Sequence, residues 1–378
     1  MKRILIAAAA ALMMLASCGH EPSGARVIDV SAPSDAVLED IASDIRIIPL
    51  DESAGLIPEI YSAKLFGDRL LLHEYAKSVT VFDGGKFVGK LDARGRSEQE
   101  YLNLYSFTYL PQTEEILVYD LILRAIKAYH VPDMKWTRTI PMQDCKDYLN
   151  GFEALDEHHS FYAGSRNPTV WDHRRNAPSL TVPVPKAGGF FGGVGLTGSH
   201  FEQDRGALRT FIPGSTIKII DVEADRYTVL DSLVFRPELL PPDFWEGDYS
   251  EEKAAVYQEA MTHDHFASGC YAPVLRGRNL AFWYFGGRRA DETGATAQDV
   301  PPLHLYLDLK GRRQAVSSLH VGGASNPLQP DVCEGNRWGS VLELPLPSDG
   351  HEPGRVKKQL DELAAKGYEH ALLLYSVL

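Results

Sequence analysis

Cysteine is scarce in this chain, cationic excess is absent, and no long apolar run follows the first fifteen residues. Only Cys18, Cys145, Cys270 and Cys333 occur among 378 residues. They are too scattered for a disulfide framework and lack the spacing of a zinc site, so the last three read as small buried hydrophobes. The formal charge of −13 argues against nucleic acid or anionic lipid as a partner, since both require a basic face. No G-x-S-x-G, H-E-x-x-H or Walker pattern is present. Gly188-Gly189, Gly192-Gly193 and Gly195 lack the strand-to-helix context of a phosphate loop, and carboxylates are too numerous for one pair to stand out as acid and base. The expectation is a protein without cofactor or metal.

What is present begins at the N-terminus. Lys2-Arg3, an apolar run from Ile4 to Leu15 and small residues before Cys18 describe a secretory signal, too short to span a bilayer. Leu15-Ala16-Ser17-Cys18 resembles a bacterial lipobox, in which the cysteine becomes residue one and carries the lipid. Loss of Lys2 and Arg3 with residues 1–17 would make the mature chain two charges more negative. Residues 18–35, polar and containing Pro22 and Pro33, read as a lipidated tether. Residues 36–378 read as one large domain, long enough to bury a core without staples.

From Ile60 onwards, short β-rich runs alternate with turn signals, and no βαβ helix lies between them. The runs fall into five groups of four, with turns such as Gly67-Asp68, Gly84-Gly85, Pro111-Gln112 and Pro132-Asp133. Three more follow: Asp331–Glu334, Trp338–Leu344 and Ala371–Val377. One strand is missing from a sixth group, and Ile45–Leu50 near the start can supply it. The 334 residues from 45 to 378 make six units of about 56, close to kelch-length blades. The expected fold is all-β: a six-bladed β-propeller whose N-terminal strand closes the last blade, leaving only short edges. One or two β-sandwiches are the competing architecture. Helical spacing of Val356, Leu360, Leu363 and Ala364, stopped by Gly367, predicts one short C-terminal helix. A second helical stretch is expected near Glu251–Met261.

The order of lipobox, linker, an I-x-x-I-P-L strand, then Val81–Leu91 (VFDGGKFVGKL) and a loop ending in Glu100-Tyr101 resembles the Bacteroidetes-type six-bladed β-propeller lipoproteins, related in style to NHL propellers. That family's loop usually reads G-x-G-P-G-E-Y. Here Gly95 and Glu100-Tyr101 match and the central Gly-Pro-Gly is absent. The resemblance implies an exported, lipid-anchored propeller of the bacterial cell envelope, with the outer membrane as the expected site, and carries over no catalytic residue.

Strand order predicts where binding would occur. With strands A to D running from the axis outwards, D–A and B–C connections share one face. The long connections Asp92–Tyr105, Phe235–Gly269, Gly286–Pro302, His320–Pro330 and the helical segment near Gly350–Gly367 all fall there. Long loops on a rigid scaffold are where function usually sits. The candidate ligand-binding residues are Arg94, Arg96, Glu100, Tyr101, Trp245, Trp283, Tyr284, Arg288 and Arg289. Arginines on this face would fork onto a carboxylate or sugar hydroxyls, and Trp283-Tyr284 beside Arg288-Arg289 would form an aromatic platform. Each has a blander reading. Arg94 to Tyr101 would also serve as a blade-to-blade latch, and the aromatics of Phe235–Gly269 would also pack that insertion down. His263 and His265, on one face of a strand, would supply two metal ligands, but no third is identifiable. The chain thus reads as a membrane-anchored binding or scaffold module for a glycan, a peptide or an envelope-protein partner. The alternative is a glycan-acting hydrolase or lyase, or a metal-dependent lactonase-like enzyme, which would need convergent carboxylates or metal ligands on inward strands.

Overall fold

The structure is a computed structural model and describes residues 24–51, 53, 57, 59–74, 78–142, 149–164, 167–185, 200–202, 206–287 and 303–377. Among the described residues, twenty-six strands form six sheets. The first three strands are β1 (Arg26–Asp29), β2 (Ser34–Val37) and β3 (Ser43–Pro49). Blade 1 is β4 (Ile60–Phe66), β5 (Arg69–Glu74), β6 (Ser78–Asp83) and β7 (Lys86–Leu91). Blade 2 is β8 (Leu104–Leu110), β9 (Glu115–Asp120), β10 (Ala125–His130) and β11 (Lys135–Pro141). Blade 3 is β12 (Leu149–Ala154), β13 (His159–Gly164), β14 (Thr169–Asp172) and β15 (Ala177–Thr181). Blade 4 is β16 (His200–Glu202), β17 (Ala207–Ile212), β18 (Ile217–Val222) and β19 (Tyr227–Arg236). Blade 5 is β20 (Tyr271–Arg276), β21 (Asn279–Phe285), β22 (Leu303–Leu309) and β23 (Arg312–His320). Blade 6 is β24 (Val332–Glu334), β25 (Arg337–Glu343) and β26 (His370–Ser376), completed on its outside by β3.

Blades 1 to 5 are each built on a sequential four-stranded antiparallel meander and blade 6 on a three-stranded one completed by β3, which supports the propeller expectation against a sandwich. The core is divided accordingly. Period-two alternation sends neighbouring residues of a middle strand to opposite sides, and a blade is covered on both sides. In β9, Ile116 and Val118 join the cluster shared with blade 1, whereas Leu117 and Tyr119 join the cluster shared with blade 3. In β26, Ala371, Leu373 and Tyr375 pack towards blade 5, while Leu372 and Leu374 pack towards blade 1. Middle strands such as β9 and β26 therefore read as nearly continuous apolar runs. At the axis, the inner strands of blades 1 to 3 are linked by Glu153, which accepts from the Thr108 hydroxyl at 2.6 Å and from the Lys64 ammonium.

Ring closure follows the expected route. β3 pairs antiparallel with β26, Ile48 opposite Leu372 and Ile47 opposite Leu373. It then abuts blade 1, where Asp51 N–H donates to Gly85 O at 2.8 Å. Gly85 has φ +84°, and a Cβ there would lie 2.3 Å from the Pro49 carbonyl oxygen. The Gly84-Gly85 turn is thus both a hairpin and the contact point of the seam.

The stretch read as a tether is different from that expectation. β1 lies parallel to β19 on the outside of blade 4, and β2 lies parallel to β23 on the outside of blade 5. A helical turn, α1 (Leu38–Ile41), then leads into β3. One segment therefore belts blades 4, 5 and 6. Ile28, Val30 and Leu38 are buried, and the Arg26 guanidinium bridges Asp231 at 2.8 Å and Asp308 at 2.9 Å. The reason is local: the short apolar residues of Arg26–Val30 are few enough to read as polar linker, yet alternate correctly for a pleated edge. Glu39 of α1 accepts from the N–H groups of Gly322 and Val356. The latter opens α3 (Arg355–Ala365), whose N-cap Gly354 offers no side chain, so the belt supplies the missing acceptor at a helix N-terminus. Every strand of the six blades lies between Arg26 and Ser376, so residues 24–378 carry the complete ring.

One buried and one half-buried histidine, His73 and His173, make the ring acid-sensitive. Burial pushes His73 and His173 down to about 4. The unfolded chain takes up these protons near the ordinary value of 6.5 and the folded chain does not. Full stability is therefore present above that value and is lost as pH falls towards 4, on the order of 3 kcal/mol per histidine at most. Thermal melts between neutral pH and pH 4 should show this decline, and replacing both by Gln should flatten it. An unchanged slope in the double variant would assign the acid loss elsewhere.

Candidate functional site

The topology places D–A and B–C connections on one face and A–B and C–D turns on the other. The long connections meet on the first face. Residues 321–331 are welded to residues 344–369 by Ser325 N–H to Pro347 O at 3.0 Å and Gly354 N–H to Gly322 O at 2.8 Å. The 237–270 insertion meets the connection after β21 through the Ala267–Gly286 bridge. Contact there is close: a Cβ on Gly287 would lie 1.4 Å from the His263 carbonyl oxygen.

That insertion carries α2 (Glu251–Met261). Ser250 caps it, its hydroxyl accepting from Lys253 N–H at 3.1 Å, with Glu251 and Glu252 in the first turn. α2 holds down an aromatic cluster: Phe244 stacks on Tyr257 with centroids 6.1 Å apart, and Tyr257 meets Phe266 edge-on at 5.4 Å. Tyr257 OH also pairs with Ser268 Oγ at 2.9 Å. Beside this cluster lies a cavity of about 290 Å³ between the insertion and the 213–216 turn of blade 4. Trp245, Phe266, Phe235 and Pro241-Pro242 give it apolar walls. Arg236 and Glu238 line it too, half-exposed and paired with one another. An apolar slot with a cation–carboxylate pair suits a ligand that is partly greasy and partly hydrogen-bonding.

The sequence candidates separate under this geometry. Trp245 is on the cavity wall although only 6% exposed, so packing and lining are both its roles. Trp283 and Tyr284 do not form a platform. Both are 1% exposed: Trp283 packs against Trp338 between blades 5 and 6, and Tyr284 faces Phe235 between blades 4 and 5. Their position on β21, a middle strand covered on both sides, is the reason. Arg288 and Arg289 lie outside the described residues, as do Cys18, Cys145 and Gly188–Gly195.

The Arg94–Tyr101 loop is a latch. Tyr101 is fully buried, edge-on to Tyr129 at 6.0 Å, in the core between blades 1 and 2. Tyr129 OH donates to Gln99 O at 2.9 Å, and Lys127 reaches Glu98 O. Glu100 accepts from Ser97 N–H at 2.8 Å, which together with the Arg96 amide holds its carboxyl below the usual range. A Cβ on Gly95 would meet that carboxylate at 1.9 Å, so a side chain there would displace Glu100 from its present place. Arg94 pairs with Asp92 at 3.2 Å, and Arg96 is exposed. His263 and His265 sit in a turn after α2 rather than on a strand, so alternation does not align them. Among the described residues, no group of three His, Cys, Asp or Glu is placed to hold a metal ion.

Sequence reasoning missed Arg236, Glu238 and Phe266 as cavity residues. The available signal was the length of the 237–270 insertion, which marked the place but not the wall.

Comparison with known proteins agrees with the architecture. The family described as 6-bladed beta-propeller matches residues 17–174. The fold is a six-bladed β-propeller. A Bacteroides fragilis protein described as exported is similar over 93% of this chain and 99% of its own, at 13% identity and TM-score 0.59. A Bacteroides vulgatus protein is similar over 89% of this chain and 96% of its own, at 10% identity and TM-score 0.49. No curated protein matches the sequence.

Proposed function

We propose that this propeller is a lipid-anchored, extracytoplasmic binding module of the bacterial cell envelope, and that a glycan, a peptide or an envelope-protein partner docks on its loop face. The observation that carries the reading is the cavity of about 290 Å³ built where the longest insertion meets blade 4. Basic, apolar and small residues ending at Cys18 support the anchor, and a structural neighbour described as exported supports the address.

Two experiments test the two halves. Cys18→Ala should move the protein from the membrane to the soluble fraction, because lipid chains contribute about 0.8 kcal/mol per buried methylene. Unchanged partition would end the lipoprotein reading. Residues 24–378 should give hits in a glycan and peptide array. Arg236→Ala, at the half-exposed wall, should weaken such a hit at least about tenfold without lowering the melting temperature. Trp245→Phe keeps the wall filled and should weaken it less. A hit indifferent to both substitutions would place binding elsewhere.

A further inference from the structure

Two turns of blade 5 gather a cationic patch on this otherwise acidic protein. The β20–β21 turn reads Arg276-Gly277-Arg278, and the β22–β23 turn reads Lys310-Gly311-Arg312-Arg313. They lie more than thirty residues apart in sequence. The register of the sheet brings them side by side, Leu280 opposite Asp308, and Asn279 Oδ1 accepts from Lys310 N–H at 2.9 Å. All five cationic side chains are exposed. Arg313 approaches Asp308 at 3.8 Å; among the described residues the other four form no ion pair. No carboxylate occurs within either turn. On the same face, the turns of the other blades mix signs: Asp68 and Asp83 beside Arg69, Asp133 beside Lys135, and Glu223 beside Arg226.

The chain's N-terminal end adjoins this patch. The Arg26 guanidinium donates to the Arg278 carbonyl at 3.1 Å as it bridges Asp308. Arg26 stands eight positions after Cys18, a reach of at most about 29 Å. We propose that the turn face of blade 5 docks on an anionic phospholipid surface, its arginines and lysine meeting headgroup phosphates. The lipid-anchored reading supplies the orientation: the patch faces the bilayer, and the loop face with its cavity points away. Net charge therefore misleads here. A clustered patch acts within one Debye length, about 8 Å, where distant carboxylates are screened. A tether of this length keeps the patch at high effective concentration against the surface.

The test uses residues 24–378, which lack Cys18, so its failure leaves the anchor itself unaffected. At about 0.05 M salt the domain should co-sediment with phosphatidylcholine vesicles containing about one-third phosphatidylglycerol, but not with phosphatidylcholine alone. Salt at about 0.5 M should release it. Each basic residue near such a surface contributes about fivefold, so Arg276→Glu/Arg278→Glu/Arg312→Glu should lower partition by at least about 100-fold. Arg355→Glu/Lys358→Glu/Lys366→Glu makes the same change in net charge on the loop face and should leave most of the binding. Should the triple Glu variant fail to fold, Arg276→Gln/Arg278→Gln/Arg312→Gln removes charge without adding repulsion and should still reduce partition strongly. Three results would overturn the proposal: no partition of the parent domain at low salt, equal losses in the patch and loop-face variants, or patch-dependent binding to soluble heparin without vesicle binding.

Discussion

Deleting Ile45–Leu50 should leave a chain that does not fold to a stable ring. These residues form most of β3, the outer strand of blade 6 and the seam with blade 1. Leu50 is fully buried, and Ile45, Ile47 and Ile48 pack half-buried against the clusters on either side. Full burial of such a side chain contributes about 1.5–3 kcal/mol, so these four together contribute on the order of 5 kcal/mol before any backbone pairing is counted. That is comparable to the whole stability of a typical domain, about 5–15 kcal/mol. The deletion also turns β26 into a bare edge and opens its row of backbone groups to other chains. Far-UV circular dichroism melts and limited proteolysis are the measurements. A deletion chain that melts with the parent would show that the ring does not depend on this closure.

The second large effect lies in blade 4. Arg209 on β17 and Asp221 on β18 are cross-strand partners. They form a two-pronged pair, Nε to Oδ1 at 2.9 Å and Nη2 to Oδ2 at 3.1 Å. Both are nearly fully buried, at 3% and 4% exposure. Removing one partner of a buried pair deprives the other charge of its two-pronged contact in a low-dielectric interior, which typically costs up to about 3–5 kcal/mol. Asp221→Ala should therefore lower the urea midpoint by that energy divided by the slope, with the slope itself unchanged. Replacing both partners, as Arg209→Met/Asp221→Leu, removes both buried charges and should recover part of the loss. A single variant no less stable than the double one would mean that the pair is not isolated from water.

Much of the fold is legible in the sequence. Gly84-Gly85, Pro111-Gln112 and Pro132-Asp133 punctuate short β-rich runs, and counting those runs left a gap that only Ile45–Leu50 could fill. The helices at Glu251–Met261 and Arg355–Ala365 fall where the sequence reading expects them, the latter from its apolar spacing and the Gly367 stop. The face carrying the long loops followed from strand order alone. The belt was not legible, because four-residue strands such as Arg26–Asp29 and Ser34–Val37 carry too few alternations to separate them from polar linker. Trp283 and Tyr284 were misplaced for the opposite reason. Their neighbours in sequence are a charged loop, but their neighbours in space are two apolar blade faces.

The number of blades, the route of closure and the side on which loops accumulate are written in the chain, because turn chemistry and period-two alternation are local properties. Which loops touch depends on how the blades pack. Arg94 to Tyr101 is a latch held from below by Lys127 and Tyr129. A cavity opens beside Trp245, and two basic turns in an acidic protein stand side by side. Each of these depends on the register between segments distant in sequence, and register is settled by the mutual fit of buried faces rather than by any one segment.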